Sequence, residues 1–257
     1  MDFAAAAEGL AVIADGQTGG RGRKGRMFLS EKGEGVYFSV LLKPDASRCD
    51  VRFLTVCAAV AVSGAIESVC DIRADIKWVN DIYCKGKKIC GILAELVSAG
   101  VPQTQAAVIV GIGVNTGAVP AELSGVATSV WEAAGVRGIR NRLIAEILNR
   151  LEIAYYSYAV RGEKKEIINY YSDRLFIIGK RVLVTEYTVS EPPEKASGPN
   201  APQDTVSCRN PSSDGMPPSA PDGYFATVLG IDTAGALLVR DGDGAVRSVT
   251  TGEIKLK

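Results

Sequence analysis

Ile76-Lys77-Trp78-Val79-Asn80-Asp81-Ile82-Tyr83-Cys84-Lys85-Gly86-Lys87-Lys88-Ile89-Cys90-Gly91-Ile92-Leu93-Ala94-Glu95-Leu96 is the stretch on which the fold turns. Two β-like runs, 76–84 and 87–96, flank Lys85-Gly86, which predicts a tight hairpin turn between them. In an extended strand residues 77, 79 and 81 point to one side, so Lys77 and Asp81 are expected to share a face. Asn80 then lies opposite unless a bulge re-aims it. A carboxylate and an amide beside a cation could hold Mg²⁺ on a phosphate chain. The plainer reading of the same residues is a polar hairpin with an exposed ion pair.

Upstream, residues 10–14 and Val36 to Leu42 predict strands. Between them, Gly19-Gly20-Arg21-Gly22-Arg23-Lys24-Gly25-Arg26 mixes four glycines with four cations. Glycine is a poor helix former, and buried cations need partners, so this segment is neither helix nor core strand. It reads as a positive loop whose N–H groups and guanidinium forks suit phosphate or carboxylate, ended by Gly33 and Gly35. A solvated turn and a nucleic-acid-binding segment are the alternatives. The run from Asp50 to about Val69 is apolar on nearly every side and predicts a buried helix with Asp50 as N-cap.

Downstream, Val108 to Val114 predicts a strand ending in Gly111-Ile112-Gly113-Val114-Asn115, whose glycines permit close approach of a ligand to backbone. No third glycine opens a helix there, so a dinucleotide fingerprint fails. Ile144, Ile147, Leu148, Leu151 and Tyr155 follow helical spacing within 140–158, and a second helix is expected over 163–174. Eight of the eleven prolines fall between Glu191 and Gly223, marking an insertion over about 190–223. Strand-like pieces at 181–187, 224–231, 236–240 and 245–250 flank it and predict a small antiparallel β-barrel. The expected division is 1–175 and 176–257.

Composition limits the chemistry. The 257 residues carry 29 Lys+Arg and 29 Asp+Glu, so the cations at 21–26 are local and a general polynucleotide binder is disfavoured. There is no histidine, which removes Ser/His and Cys/His catalysis and leaves Lys, Arg, carboxylates and backbone dipoles. Six cysteines lack any C-x-x-C pair, so structural zinc is not expected and a reducing cytosol fits best. No signal peptide or membrane-length apolar run is apparent.

In this order and spacing, Gln17 with Gly20–Arg26, Lys77–Asp81, Gly86–Leu93 and Gly111–Asn115 resemble the biotin–protein ligase family. The resemblance implies an α/β (α+β) catalytic domain like that of class II aminoacyl-tRNA synthetases, with helices on a mixed sheet, and a C-terminal SH3-like barrel. It implies that biotin and ATP give biotinyl-5′-AMP and pyrophosphate, and that the biotinyl group then passes to a lysine of a biotin carboxyl carrier protein. Gln17, Gly20, Arg21, Gly22 and Arg23 would line the biotin and adenylate site, with Lys77, Trp78 and Gly91 among the binding residues. Lys88 would meet the biotin carboxylate and α-phosphate. Asn80 and Asp81 would lie near the phosphates, with Asp81 holding Mg²⁺ or accepting the acceptor lysine's proton. Gly111, Gly113 and Asn115 would lie near biotin and nucleotide.

The same resemblance implies a homodimer, and no action on DNA, since no helix-turn-helix precedes the domain. Three departures stand out. Val79 replaces the family's proline, and Cys90 replaces a small Gly or Ala. The strand and Ser-Thr-Asn stretch that hold the biotin ureido ring are expected to be missing ahead of Met1. The competing readings are a lipoate or octanoate ligase, an inactive ligase-like carrier-binding protein, and an RNA-binding module.

Overall fold

The computed structural model describes residues 5–97, 106–187 and 223–256. The expected insertion therefore lies almost wholly outside the described residues, as does Cys208.

Six strands form the first sheet: β1 Ala11–Ala14, β2 Gly35–Leu42, β3 Asp75–Lys77, β4 Asp81–Cys84, β5 Lys87–Val97 and β6 Ala107–Asn115, in the order β1-β2-β6-β5-β4-β3. Every pairing between these strands is antiparallel. Among the described residues, parallel pairing is confined to the isolated bridges Ile76–Leu175 and Lys88–Ala127, which corrects the expected mixed sheet. The reason is local: β3, β4 and β5 follow one another through short turns, and such turns reverse the chain.

Helix α1 (Phe53–Cys70) begins three residues after the expected cap, with Arg52 as its N-cap. Asp50 is diverted. Its Oδ1 accepts the Arg52 N–H at 2.9 Å and its carboxylate also binds the Arg52 guanidinium, so a preliminary turn forms instead of a cap. By length and composition α1 could cross a membrane, contrary to the sequence expectation, but 78% of it is buried inside the fold. Its small residues bring neighbours close: a Cβ on Gly64 would stand 2.9 Å from an Arg150 guanidinium nitrogen. The helix ends at Asp71, which takes a left-handed conformation (φ 53°) and donates its N–H to Glu67 O.

The short helix α2 (Val130–Ala134) is capped by Ser129, whose side chain accepts the Glu132 N–H. The amphipathic helix α3 (Arg140–Tyr155) buries Leu143, Ile144, Ile147 and Leu151, and α4 (Lys165–Arg174) buries Ile167 and Tyr171, as their spacing predicts. The core that results is continuous and includes Val182, Val184, Val228 and Val239 of the second sheet.

That second sheet holds β7 Arg181–Glu186, β8 Tyr224–Ile231, β9 Leu237–Asp241, β10 Val246–Val249 and β11 Gly252–Leu256, ordered β10-β9-β8-β7-β11 and antiparallel throughout. Strand β11 was not expected from the sequence. No pairing of β10 with β11 closes a barrel among the described residues. The turn between β3 and β4 meets the turn between β8 and β9, where buried Trp78 donates its indole N–H to Gly235 O at 3.1 Å.

Candidate active site

The predicted hairpin forms, with both turn residues at positive φ (Lys85 49°, Gly86 79°), the geometry of a tight two-residue reversal. The run 76–84, however, is not one strand. It breaks at Trp78–Asn80 into β3 and β4, and the Trp78–Val79 peptide is cis. Lys77 and Asp81 do become neighbours, but as directly paired residues on adjacent strands rather than by alternation along one. Asn80 does not lie opposite. Its Nδ2 donates to Ile92 O at 2.8 Å, while its Oδ1 accepts from Arg23 Nη1 at 3.3 Å.

The glycine–arginine segment folds back on itself. Gln17 pairs with Ser30, Arg21 with Met27, and a single 3₁₀ turn (Arg23–Gly25) makes the reversal, with Lys24 and Gly25 at positive φ. Gly20 has a structural reason to be glycine: a Cβ there would stand 2.3 Å from Phe28 O.

The returning limb carries Phe28 over the sheet. There the glycines leave room, since a Cβ on Gly113 would come within 2.5 Å of the Phe28 ring and one on Gly91 within 3.0 Å. These residues enclose a cavity of about 430 Å³ on the sheet face away from α1. Gln17, Arg21, Gly22, Arg23, Lys77, Trp78, Asn80, Asp81, Lys88, Gly91, Gly111 and Gly113 all line it.

Two predicted residues do not line this cavity. Gly20 supports the loop from behind. Asn115 donates its Nδ2–H to Thr128 O at 3.1 Å and faces a second cavity of about 260 Å³. Leu123, Val126, Val119, Pro120 and Ala127 give that cavity a largely apolar wall. Phe28, Tyr83 and Lys88 line both cavities and stand between them.

Electrostatically the first cavity is cationic. Lys88 Nζ lies 2.6 Å from Asp81 Oδ1. Apart from that ion pair, this buried oxygen has no hydrogen-bond partner. Lys77 is half-buried and makes no ion pair among the described residues. Burial lowers its pKa, against the attraction of Asp81 and Glu253. Burial beside Asp81 pushes the Tyr83 hydroxyl up to about 12, so it remains a donor at neutral pH. Sequence reading missed Phe28, Tyr83 and Glu253. Phe28 follows the glycine–arginine loop closely and Tyr83 sits inside the quoted hairpin, but nothing local marks Glu253, which reaches the cavity from β11.

Such an arrangement can neutralise an anionic chain on one side and accept a flat apolar group on the other, with one lysine at the junction. Among known proteins, the profile of the biotin/lipoate A/B protein ligase family matches residues 1–115, and that of the biotin protein ligase C-terminal domain matches 222–257. The bifunctional ligase/repressor BirA of Bacillus subtilis is 42% identical over 161 residues, covering 61% of this chain and 49% of that protein. The biotin–[acetyl-CoA-carboxylase] ligase of Mycobacterium tuberculosis is 29% identical over 181 residues, covering 69% of this chain and 65% of that protein. The chain thus spans about half to two thirds of the length of these relatives. The biotin protein ligase from Aquifex aeolicus in complex with biotin and ATP superposes with a TM-score of 0.71 at 25% identity, covering 98% of this chain and 90% of that one.

Proposed function

The chain belongs to the biotin/lipoate A/B protein ligase family, with a biotin protein ligase C-terminal domain, and from that premise we propose that it is an ATP-dependent biotin–protein ligase. The observation that carries the reading is the position of Lys88 on the wall shared by the two cavities. The first cavity, with Gln17, Gly111 and Gly113, takes biotin and the phosphate chain. The second, with Asn115 and its apolar wall, takes the adenine base.

In the first step a biotin carboxylate oxygen attacks the α-phosphorus, the bond to the β-phosphate oxygen breaks, and pyrophosphate leaves. Two anions must meet, and Lys88 and Arg23 supply the opposing charge at their meeting point. Asp81 Oδ1 is buried and, among the described residues, meets only Lys88 Nζ at 2.6 Å. With Lys88 turned to the α-phosphate, that oxygen would be a single protein ligand for Mg²⁺, which usually takes one or two carboxylates plus phosphate oxygens. When bound, that ion would neutralise phosphate charge. Asn80 holds Arg23 beside this wall.

In the second step the acceptor lysine's nitrogen attacks the acyl carbon, the C–O bond to AMP breaks, and the amine loses a proton. Of the three carboxylates that line the cavity, Asp81, Glu95 and Glu253, we assign this proton to Asp81, which is released from the metal once pyrophosphate has left. The acceptor is a carrier domain of a carboxylase. A second copy of the chain would meet β1, the sheet edge where Val12 and Ile13 are each 54% exposed. The switch from helices to an all-strand region after α4 supports a division near residue 176. The five described cysteines are all free and buried, in keeping with a cytosolic enzyme.

Biotin-dependent ATP–pyrophosphate exchange with Mg²⁺ tests the reading. Exchange driven by biotin and not by lipoate is the expected result. Exchange with lipoate alone, or none from folded protein, would overturn it.

A further inference from the structure

The cationic loop is clasped by the second sheet. Arg26 Nη2 lies 2.5 and 2.8 Å from the two oxygens of Glu253 on β11. Lys24 Nζ is 3.7 Å from the same carboxylate and 2.9 Å from the centre of the Tyr187 ring. Arg23 Nη2 donates to Gly252 O at 3.1 Å. Glu253 also lines the first cavity, together with Lys77, Lys88 and Asp81. Burial pushes its carboxyl up, but the hydrogen bond and charge of Arg26, with Lys24 and Lys255, outweigh this and hold its pKa below the usual value. It is therefore an ionised carboxylate on cations that point toward a cavity shaped for an anion.

We propose that Glu253 is a positioning residue that stands in for the anionic ligand. While the cavity is empty it keeps the loop folded by occupying Lys24 and Arg26. The diphosphate portion of a nucleoside triphosphate takes over those cations when it binds. The inference rests on the reading that this cavity receives a nucleotide's phosphates. It makes one carboxylate responsible for two effects of opposite sign: order in the empty loop, and competition with the incoming phosphate. A glutamate with a merely structural role would give only the first, and its loss would weaken phosphate binding.

The test uses the full chain and its Glu253→Gln variant, which keeps shape and removes charge. Calorimetry with inorganic pyrophosphate gives affinity, and hydrogen exchange over residues 19–28 gives loop order. In Glu253→Gln, faster loop exchange is expected together with pyrophosphate binding about two- to fivefold tighter, the size of one partly exposed ion pair. Lys24→Gln should also speed loop exchange but weaken pyrophosphate, separating a lost latch from a lost cation. Folded Glu253→Gln that binds pyrophosphate no tighter than wild type, or whose loop exchanges no faster, overturns the role of Glu253 alone. Wild-type protein that binds neither pyrophosphate nor ATP overturns the nucleotide reading beneath it.

Discussion

The two faces of strand β6 are built to opposite rules. Val110 and Val114 are fully buried on the side covered by α1 and α3, in a core made of branched aliphatic side chains. Gly111 and Gly113 alternate with them and present bare backbone to the other side, where the space is taken by the Phe28 ring and the cavity. One face gains stability by filling volume, because close-packed apolar contact is what holds a sheet to its helices. The other keeps volume empty and surrounds it with charge. The lesson is that a single strand can serve stability and ligand access at once, since its side chains alternate with a period of two.

Four changes would sharpen or break that contrast. Lys88→Ala removes the cation at the junction of the two cavities. Biotin-dependent pyrophosphate exchange should fall by about 10²–10³, with little change in melting temperature, as expected when a charge acting on the reacting centre is lost. A variant with near-normal exchange would remove Lys88 from its role.

Gly113→Ala fills the open face. The new Cβ must displace Phe28, so exchange should drop by about tenfold or more while the melting temperature stays within about 2 °C of wild type. Loss of folding in this variant would show that the glycine serves packing rather than access. On the opposite face, Val110→Ala should cost about 2 kcal/mol of stability. Urea unfolding should register that loss, with exchange activity unchanged below the unfolding transition. If activity fell and stability did not, the assignment of the faces would be reversed.

The smallest effect is one of pH. The folded-state pKa of Glu253 lies below its ordinary 4.5, so its pairing stabilises the protein above that value and is lost as pH falls through the folded pKa. The melting-temperature difference between wild type and Glu253→Gln should be present at pH 6–7 and shrink steadily below pH 4.5. A difference that grew in acid would contradict the ion pair.

Much of this was legible in the chain. The hairpin at Lys85-Gly86, the buried helix and the amphipathic helices follow from local patterns of turn chemistry and apolar spacing. Gln17, Arg23, Lys77, Asp81, Lys88, Gly111 and Gly113 each lie in a short, chemically unusual motif, and the fold brings them all to the wall of one cavity. What misled the reading was also local. Asp50 has the chemistry of a helix cap, but its carboxylate is engaged by Arg52. The run 76–84 has the apolar content of one strand, yet its middle turns so that Asn80 can hold both Ile92 and Arg23.

By itself the sequence determined which chemistry is available: cations and carboxylates without histidine, glycines that leave strand backbone bare, and apolar periods that place strands and helices. Tertiary structure alone decided which of these groups meet. It set Asn115 in a different cavity from Gly111 and Gly113, placed Lys88 between the two, and brought Glu253 onto the loop from 229 positions beyond Lys24. The physical reason is that periodicity and turn propensity act over a few residues, whereas an ion pair or a cavity wall depends on distances that only the packed chain sets.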